Sequence, residues 1–314
     1  KAGDGLTLDG ARNRFAGTKD TEAQTLLGGY TYYYTVSLPA AEALSLGELD
    51  AAPQGVGYLA VTISKGGSAK IAGVLADGTT ITMASRLIWY SDIGSDVCVP
   101  FFVPLYGKKG WIGGLLWIDP DTKAVATDGD RGWFVRWEKP GSGPDGFRER
   151  LGACGGYYNT LPSLASQYLF GAELESVAYA YAGGSAEWVT NALPDGIAVT
   201  AAGTRLTMAA GTKPTASGGV YAYSGGNASL ATLTFTAKTG IFKGKFSVYY
   251  DYTVGGKPKH TAVSVPYAGA LTPVRGAAFA DGPAGLGYCL VPDNDPDAKT
   301  YKITRSFPVS LDAE

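Results

Sequence analysis

The 314-residue chain carries one histidine, His260, and that scarcity narrows the chemistry at once. A nucleophilic triad needs an imidazole between a nucleophile and an orienting group, and histidine-type zinc centres need several. His260 stands in PKHTAVSV, where strand alternation sets it opposite Val263, Val265 and Tyr267, on the solvent side. Carboxylates are more plentiful. Glu42, Glu48, Glu173, Glu175 and Glu187 are candidates for the acid and base of glycoside hydrolysis, yet no spacing marks two of them as a pair. DNDPD (293–297) alternates oxygen ligands as a calcium loop does, but Ala298 and Thr304 stand where such a loop needs Gly and Glu. DPDTK (119–123) and DGD (128–130) are incomplete in the same way. No Gly-x-x-x-x-Gly-Lys-Ser/Thr loop is present to cradle a phosphate. The expectation is therefore of no catalytic residue, no metal and no cofactor.

Aromatic rings offer the stronger signal. Trp133, Trp137, Tyr157 and Tyr158 fall near the expected connection between two halves, where a concave surface is able to form and flat rings stack on sugars. The competing reading is that Trp133 and Trp137 simply cover one end of a core. Cys98, Cys154 and Cys289 are too few for a disulfide scaffold and lack metal-ligand spacing. At most one intrachain disulfide is expected, its pair undecided, against the alternative of buried free thiols. Asn227-Ala228-Ser229 matches a glycosylation sequon at chance level.

The elements that must hold these residues are strands. Forty-five glycines and 20 tyrosines accompany a charged content of 17%, well under the ~25% of typical domains. That mixture suits short strands and tight turns rather than helices. A formal net charge of −2 without a basic cluster excludes the usual nucleic-acid footprint. No apolar run approaches the ~20 residues of a transmembrane helix. The chain starts at Lys1 rather than Met, as a mature or trimmed product would.

In chain order, DTEAQTLL (20–27) predicts a short helix capped by Thr18 or Asp20. Tyr30 to Leu38 reads as the first strand. From Gly57 to Ile118 five strands follow, with Asp77-Gly78 as a two-residue hairpin turn. In one of them Val97, Val99, Phe101, Val103 and Leu105 share a face, while Pro100 and Pro104 project from the other. KPGSGPDG (139–146) is the expected domain boundary, giving an N-terminal β-domain over 1–140 and a C-terminal β-domain over 141–314. The second half again alternates with period two, ending in Tyr301 to Leu311. The fold class expected is all-β: two tandem, related antiparallel barrels or sandwiches with few short helices.

AVTISKGGSAKIAG (60–73) and TLTFTAKTGIFKG (232–244) follow one scheme: an alternating strand, a Lys/Gly turn and a returning strand. This reads as an internal duplication. Gly55, Gly57, Val61, Gly73, Leu75 to Thr79, Val103-Pro104-Leu105-Tyr106 and Gly110 together resemble a repeat β-domain of large secreted or surface proteins of gut and aquatic bacteria. FTAKTGIFKGKF (235–246) is similar to that family's companion hairpin, and LPDGIAVT (193–200) to the start of an immunoglobulin-like segment. The resemblance implies a modular β-architecture and an extracellular or cell-surface location, and carries no catalytic residue with it. The expected function is a non-enzymatic structural or adhesive protein. Its expected partners are glycans, identical copies or neighbouring repeats, with the amphipathic strand Tyr301 to Leu311 free to join a neighbour's sheet edge. The alternatives are a carbohydrate-binding module and, after it, a glycoside hydrolase.

Overall fold

Period-two alternation becomes antiparallel strand almost throughout the chain. The computed structural model describes residues 14–16, 19–42, 52–90, 96–129, 132–141, 146–158, 172–176, 182–183, 186–187, 197–202, 205–213, 215–217, 220–222, 225–227, 229–272, 284–292 and 304–313. One α-helix, α1 (Thr21–Gly28), lies among them, with Asp20 as its cap. Asp20 Oδ1 accepts a hydrogen bond from Ala23 N at 3.0 Å, and its Oδ2 accepts one from Arg14 Nε at 2.8 Å. Ala23 and Leu27 then face the first core.

The first sheet holds β1 (Tyr33–Leu38), β2 (Gly57–Ile63), β3 (Ser68–Val74), β4 (Thr80–Arg86), β5 (Ile88–Tyr90), β6 (Asp96–Leu105), β7 (Gly110–Ile118), β8 (Ala124–Ala126), β9 (Val135–Lys139), β10 (Phe147–Leu151) and β11 (Cys154–Tyr157). Its order is β10-β9-β7-β8-β11-β1-β2-β3-β4, with β6 paired to β7 and β5 to β6. β4 and β6 lie side by side without a ladder, joined where Ser85 Oγ donates to Pro100 O. The sheet thus curls into a ring open at one seam. Val61, Ile71, Ile81, Val99, Phe101, Ile112 and Leu116 point inward and form its core.

The second half supplies β12 (Ala172–Ser176), β13 (Ala182–Gly183), β14 (Ala186–Glu187), β15 (Ile197–Ala202), β16 (Arg205–Met208), β17 (Thr215–Ser217), β18 (Val220–Ala222), β19 (Thr232–Thr236), β20 (Ile241–Val254), β21 (Lys257–Leu271), β22 (Gly285–Pro292) and β23 (Thr304–Ala313). Apart from the β17–β18 hairpin they form one sheet, ordered β13-β14-β20-β21-β22-β23-β12-β15-β16 with β19 on β20. β16 lies beside β19, again without a ladder. This sheet curls around Phe242, Phe246, Val265, Tyr267, Phe307, Val309 and Leu311. The fold is all-β, built of antiparallel sheets, and no ladder closes either one into a barrel among the described residues.

Two expectations need correction. The stretch 139–146 is no boundary between sheets, because it joins β9 to β10, which pair antiparallel from Phe147↔Lys139 to Leu151↔Val135. The first sheet continues through β11, which pairs with β1. Gly- and Pro-rich composition connects paired strands as readily as it connects domains. The second correction concerns the last strand. β23 pairs with β22 through Thr304–Leu311 and with β12 through Val309–Ala313, so from Val309 to Leu311 it is an interior strand and offers no free edge to a neighbouring copy.

The outer faces of the two sheets meet. On β1, Tyr34, Val36 and Leu38 face the first core, leaving Tyr33, Thr35 and Ser37 on the opposite side. Thr35 and Ser37 are nonetheless fully buried, because the second sheet covers them. Thr35 Oγ1 donates to Leu271 O at 2.7 Å and Tyr33 Oη to Thr239 O at 3.0 Å. Main-chain bonds add to these: Val56 N to Gly287 O at 3.0 Å and Gln54 N to Ser306 O at 3.1 Å. Ser306 Oγ accepts from Gly55 N at 3.2 Å and donates to Ala76 O. Gly55 is required by this close approach, since a Cβ there would sit 2.4 Å from Ser306 Oγ and 2.5 Å from Tyr288 Cβ.

Buried polar contacts of this kind penalise separation, because each unpaired group costs about 1–3 kcal/mol. The two sheets are therefore expected to melt in one calorimetric transition. Gly55→Leu is expected to split that transition in two. Two separate transitions in the unaltered chain would show that the interface does not couple them.

Candidate functional site

Three side chains gather at the end of the β6–β7 hairpin. Tyr106, Gly107 and Lys108 form a single helical turn with φ values of 52°, 67° and 69°. That is the left-handed region, which costs a non-glycine residue roughly 1–2 kcal/mol. The Tyr106 ring secures it. Its hydroxyl donates to Asp77 Oδ2 at 2.7 Å and accepts from Trp137 Nε1 at 3.0 Å. Asp77 Oδ1 in turn accepts from Thr79 N at 2.9 Å, closing the Asp77-Gly78 turn. Burial, followed by the nearby Asp77 carboxylate, holds the Tyr106 phenol well above its ordinary pKa. The hydroxyl stays protonated and acts as a fixed strut. It is unsuited to acid–base work at neutral pH.

Trp137, expected as a ligand-binding ring, belongs to this strut. It is 1% exposed and meets Phe147 edge-on at 4.6 Å, inside the first core. Tyr158 is 2% exposed, and its hydroxyl crosses to the second half, donating to Ala237 O at 2.6 Å. Both are structural residues, buried because strand parity turns Trp137 inward and the second sheet covers Tyr158. Trp133 is half-buried and lies parallel to Trp117 at 5.4 Å and 13°, with Tyr90 5.4 Å from Trp117. Tyr157 is half-buried and rests on Tyr32 at 4.4 Å. The four rings do not line one surface.

A different pair stands in the open. Phe102 is 59% exposed, and its ring stacks with that of half-buried Trp111 at 5.6 Å and 28°. Both project from the outer face of the β6–β7 ladder, since Phe101 and Ile112 occupy the inner one. The register continues outward as Phe102↔Gly113↔Arg136↔Arg150 and Pro104↔Trp111↔Glu138↔Arg148. Sequence reasoning missed this patch although the signal was present. Phe102 lies between Pro100 and Pro104, on the face read as projecting away from the core.

The polar candidates divide similarly. Glu42 is bound by Arg150. Glu149 is held above the ordinary carboxylate range by burial and then by Glu42. Asp119 Oδ1 accepts from Asp121 N, Thr122 N and Thr122 Oγ1, which lowers its pKa and marks a turn. Asn227 is buried, its amide bonded to Ala209 O and to both Ala231 O and Ala231 N, so the sequon residue is structural. Glu48, the DNDPD loop and the side chains of His260, Glu173, Glu175 and Glu187 lie outside the described residues. Among the described residues no three of His, Cys, Asp or Glu gather to hold a metal, and no helix is long and apolar enough to cross a membrane.

All three cysteines are buried, and no disulfide joins any two of them. Cys98 and Cys154 sit three strands apart in one register row, about 14 Å at ordinary strand spacing, too far for a disulfide.

Tyr106→Phe is expected to destabilise the chain by about 1–3 kcal/mol in urea unfolding, because Asp77 and Trp137 both lose a buried partner. A loss below about 0.5 kcal/mol would show that the strut is dispensable. Burial also pushes the thiols of Cys98 and Cys154 and the phenols of Tyr33 and Tyr288 up to about 12 from their model-compound 9.0 and 10.0. Each group is neutral when protonated, so at alkaline pH the folded chain keeps protons that the unfolded chain has released. The Tm is therefore expected to hold steady up to about pH 9 and to fall as pH rises toward 12. A Tm unchanged through that window would contradict the burial of these groups. No protein-family model matches the chain, and neither does any curated protein or solved structure.

Proposed function

We propose that this chain is a non-enzymatic structural and adhesive module of an extracellular or cell-surface protein. The observation that carries the reading is an open aromatic face on a stiff frame. Phe102 and Trp111 stand outside a ladder whose sheet is fixed to its neighbour by buried hydrogen bonds. A stiff frame suits a protein that transmits or resists displacement between two attachments, and exposed rings suit contact with a surface. Low charge, the repeated hairpin phrases and the resemblance to secreted repeat proteins point the same way. The two phrases form the β2–β3 and β19–β20 hairpins, each turning through a glycine in the left-handed region, Gly67 and Gly240.

A second reading, a carbohydrate-binding module, is favoured by the same stacked pair, which offers the CH faces of a sugar a flat apolar counterpart. Trp133 and Tyr157 are secondary candidates for it, whereas Trp137 and Tyr158 are withdrawn as ligand contacts. Neighbouring repeats or identical copies remain proposed partners through surfaces other than β23.

The experiment is adhesion of microspheres coated with the chain to bacterial cell walls, extracellular polysaccharide and bare polymer. The expected outcome is retention on a biological surface, competed by soluble chain. Retention on none of them would sink the adhesive role, and turnover of chromogenic glycosides would replace it with a hydrolase.

A further inference from the structure

The geometry points to an anionic polysaccharide as the ligand of the outer β6–β7–β9 face, with Phe102 and Trp111 stacking on sugar rings and Arg136 binding their carboxylates. This inference rests on the carbohydrate-binding reading above and names the site and the ligand class.

The argument begins with strand parity. Val135 and Trp137 face the core, so Arg136 between them faces out, and it is exposed. Its cross-strand partner on β7 is Gly113, whose other partner is Phe102. Two strand spacings, about 10 Å, separate the backbones of Phe102 and Arg136. Gly113 between them is buried under the Phe102 side chain, whose Cδ2 would lie 3.1 Å from a Cβ there, so the ring leans along the row toward the arginine. A sugar ring lying on Phe102 and Trp111 is thereby placed to extend a carboxylate toward the guanidinium.

Charge selects the ligand. Arg148 is paired with Glu138 and Arg150 with Glu42, whereas Arg136 has no ion pair among the described residues. Lys108 and Lys109 stand exposed where the left-handed turn leads into β7. A chain of net charge −2 thus carries a local cationic excess beside the most exposed large apolar ring among the described residues. Arginine is suited to planar recognition of carboxylates, and an unpaired guanidinium beside a stacking platform favours a uronic-acid chain over a neutral glucan.

The test is affinity electrophoresis and calorimetric titration of the chain with polygalacturonate and, in parallel, dextran. Expected are binding to polygalacturonate that weakens with added salt, and little retardation by dextran. Phe102→Ala and Arg136→Gln are each expected to weaken binding roughly tenfold, with unchanged far-ultraviolet dichroism and Tm, since both side chains are exposed. Lys70→Ala, exposed on β3 and away from this face, is expected to leave binding intact. Binding retained in both the Phe102 and the Arg136 variant would overturn this site while leaving carbohydrate binding standing. Equal retardation by dextran would overturn the anionic class. Binding to neither polysaccharide would overturn the site and its parent reading together, and loss of self-association in Phe102→Ala under those conditions would reassign the face to a protein interface.

Discussion

The turn from Leu75 to Thr79 is the point on which three parts of this molecule depend. Its Asp77 carboxylate holds the Tyr106 hydroxyl, and through it the Trp137 indole on β9. Its Ala76 carbonyl accepts from Ser306 of β23, while Gly78 brings the turn against Leu290 of β22. One five-residue turn thereby anchors a strained left-handed hairpin end, a strand branching from β7 and the second sheet. The energetic logic is asymmetric. Each hydrogen bond contributes about 1 kcal/mol, but breaking one strands a half-buried carboxylate or a buried indole and costs more. A half-buried carboxylate is tolerated here because both of its oxygens are occupied.

This turn also gives a physical reason for a pattern visible in the sequence. The LADGT phrase and the VPLYGKKG phrase are about thirty residues apart, yet Asp77 of one and Tyr106 of the other meet at 2.7 Å. Gly110 ends the second phrase because a Cβ would lie 2.3 Å from Glu138 O and 2.7 Å from the Tyr106 ring. A motif read from residue spacing is thus a set of contacts that specify the fold.

Much of the fold was legible from the sequence, and its limits have a common cause. Alternation located the strands, Asp77-Gly78 located a turn, and Thr18 or Asp20 marked the helix cap, which is Asp20, because each signal is local. Thr35 and Ser37 were not legible as buried residues. They are polar at alternate positions, which reads as a solvent face, and only a second sheet packed against that face buries them. Tyr158 was exposed to the same error, since its burial depends on residues near position 237. Trp137 was available to local reasoning through its parity with Val135, but its membership of a tryptophan-rich phrase suggested a binding surface. Phe102 was hidden the opposite way, inside a strand whose apolar face drew attention to Phe101.

Cover, rather than residue type, decides which part of the first sheet's outer face is able to meet a ligand. One register row runs Ile88–Cys98–Trp117–Ala126–Cys154–Ser37–Tyr58 across that face. Its Cys154, Ser37 and Tyr58 are buried on the side where the second sheet packs. Cys98 is buried beside Trp117, on which Trp133 stacks. The row is thus occupied along most of its length by the protein itself. Four to six residues along β7, toward the left-handed turn, that cover thins: Phe102 and Arg136 are exposed and Trp111 is half-buried. An uncovered aromatic pair on a rigid ladder loses little side-chain freedom on contact with a partner, because its backbone is already fixed. That is the physical ground on which recognition is proposed there rather than elsewhere on the sheet.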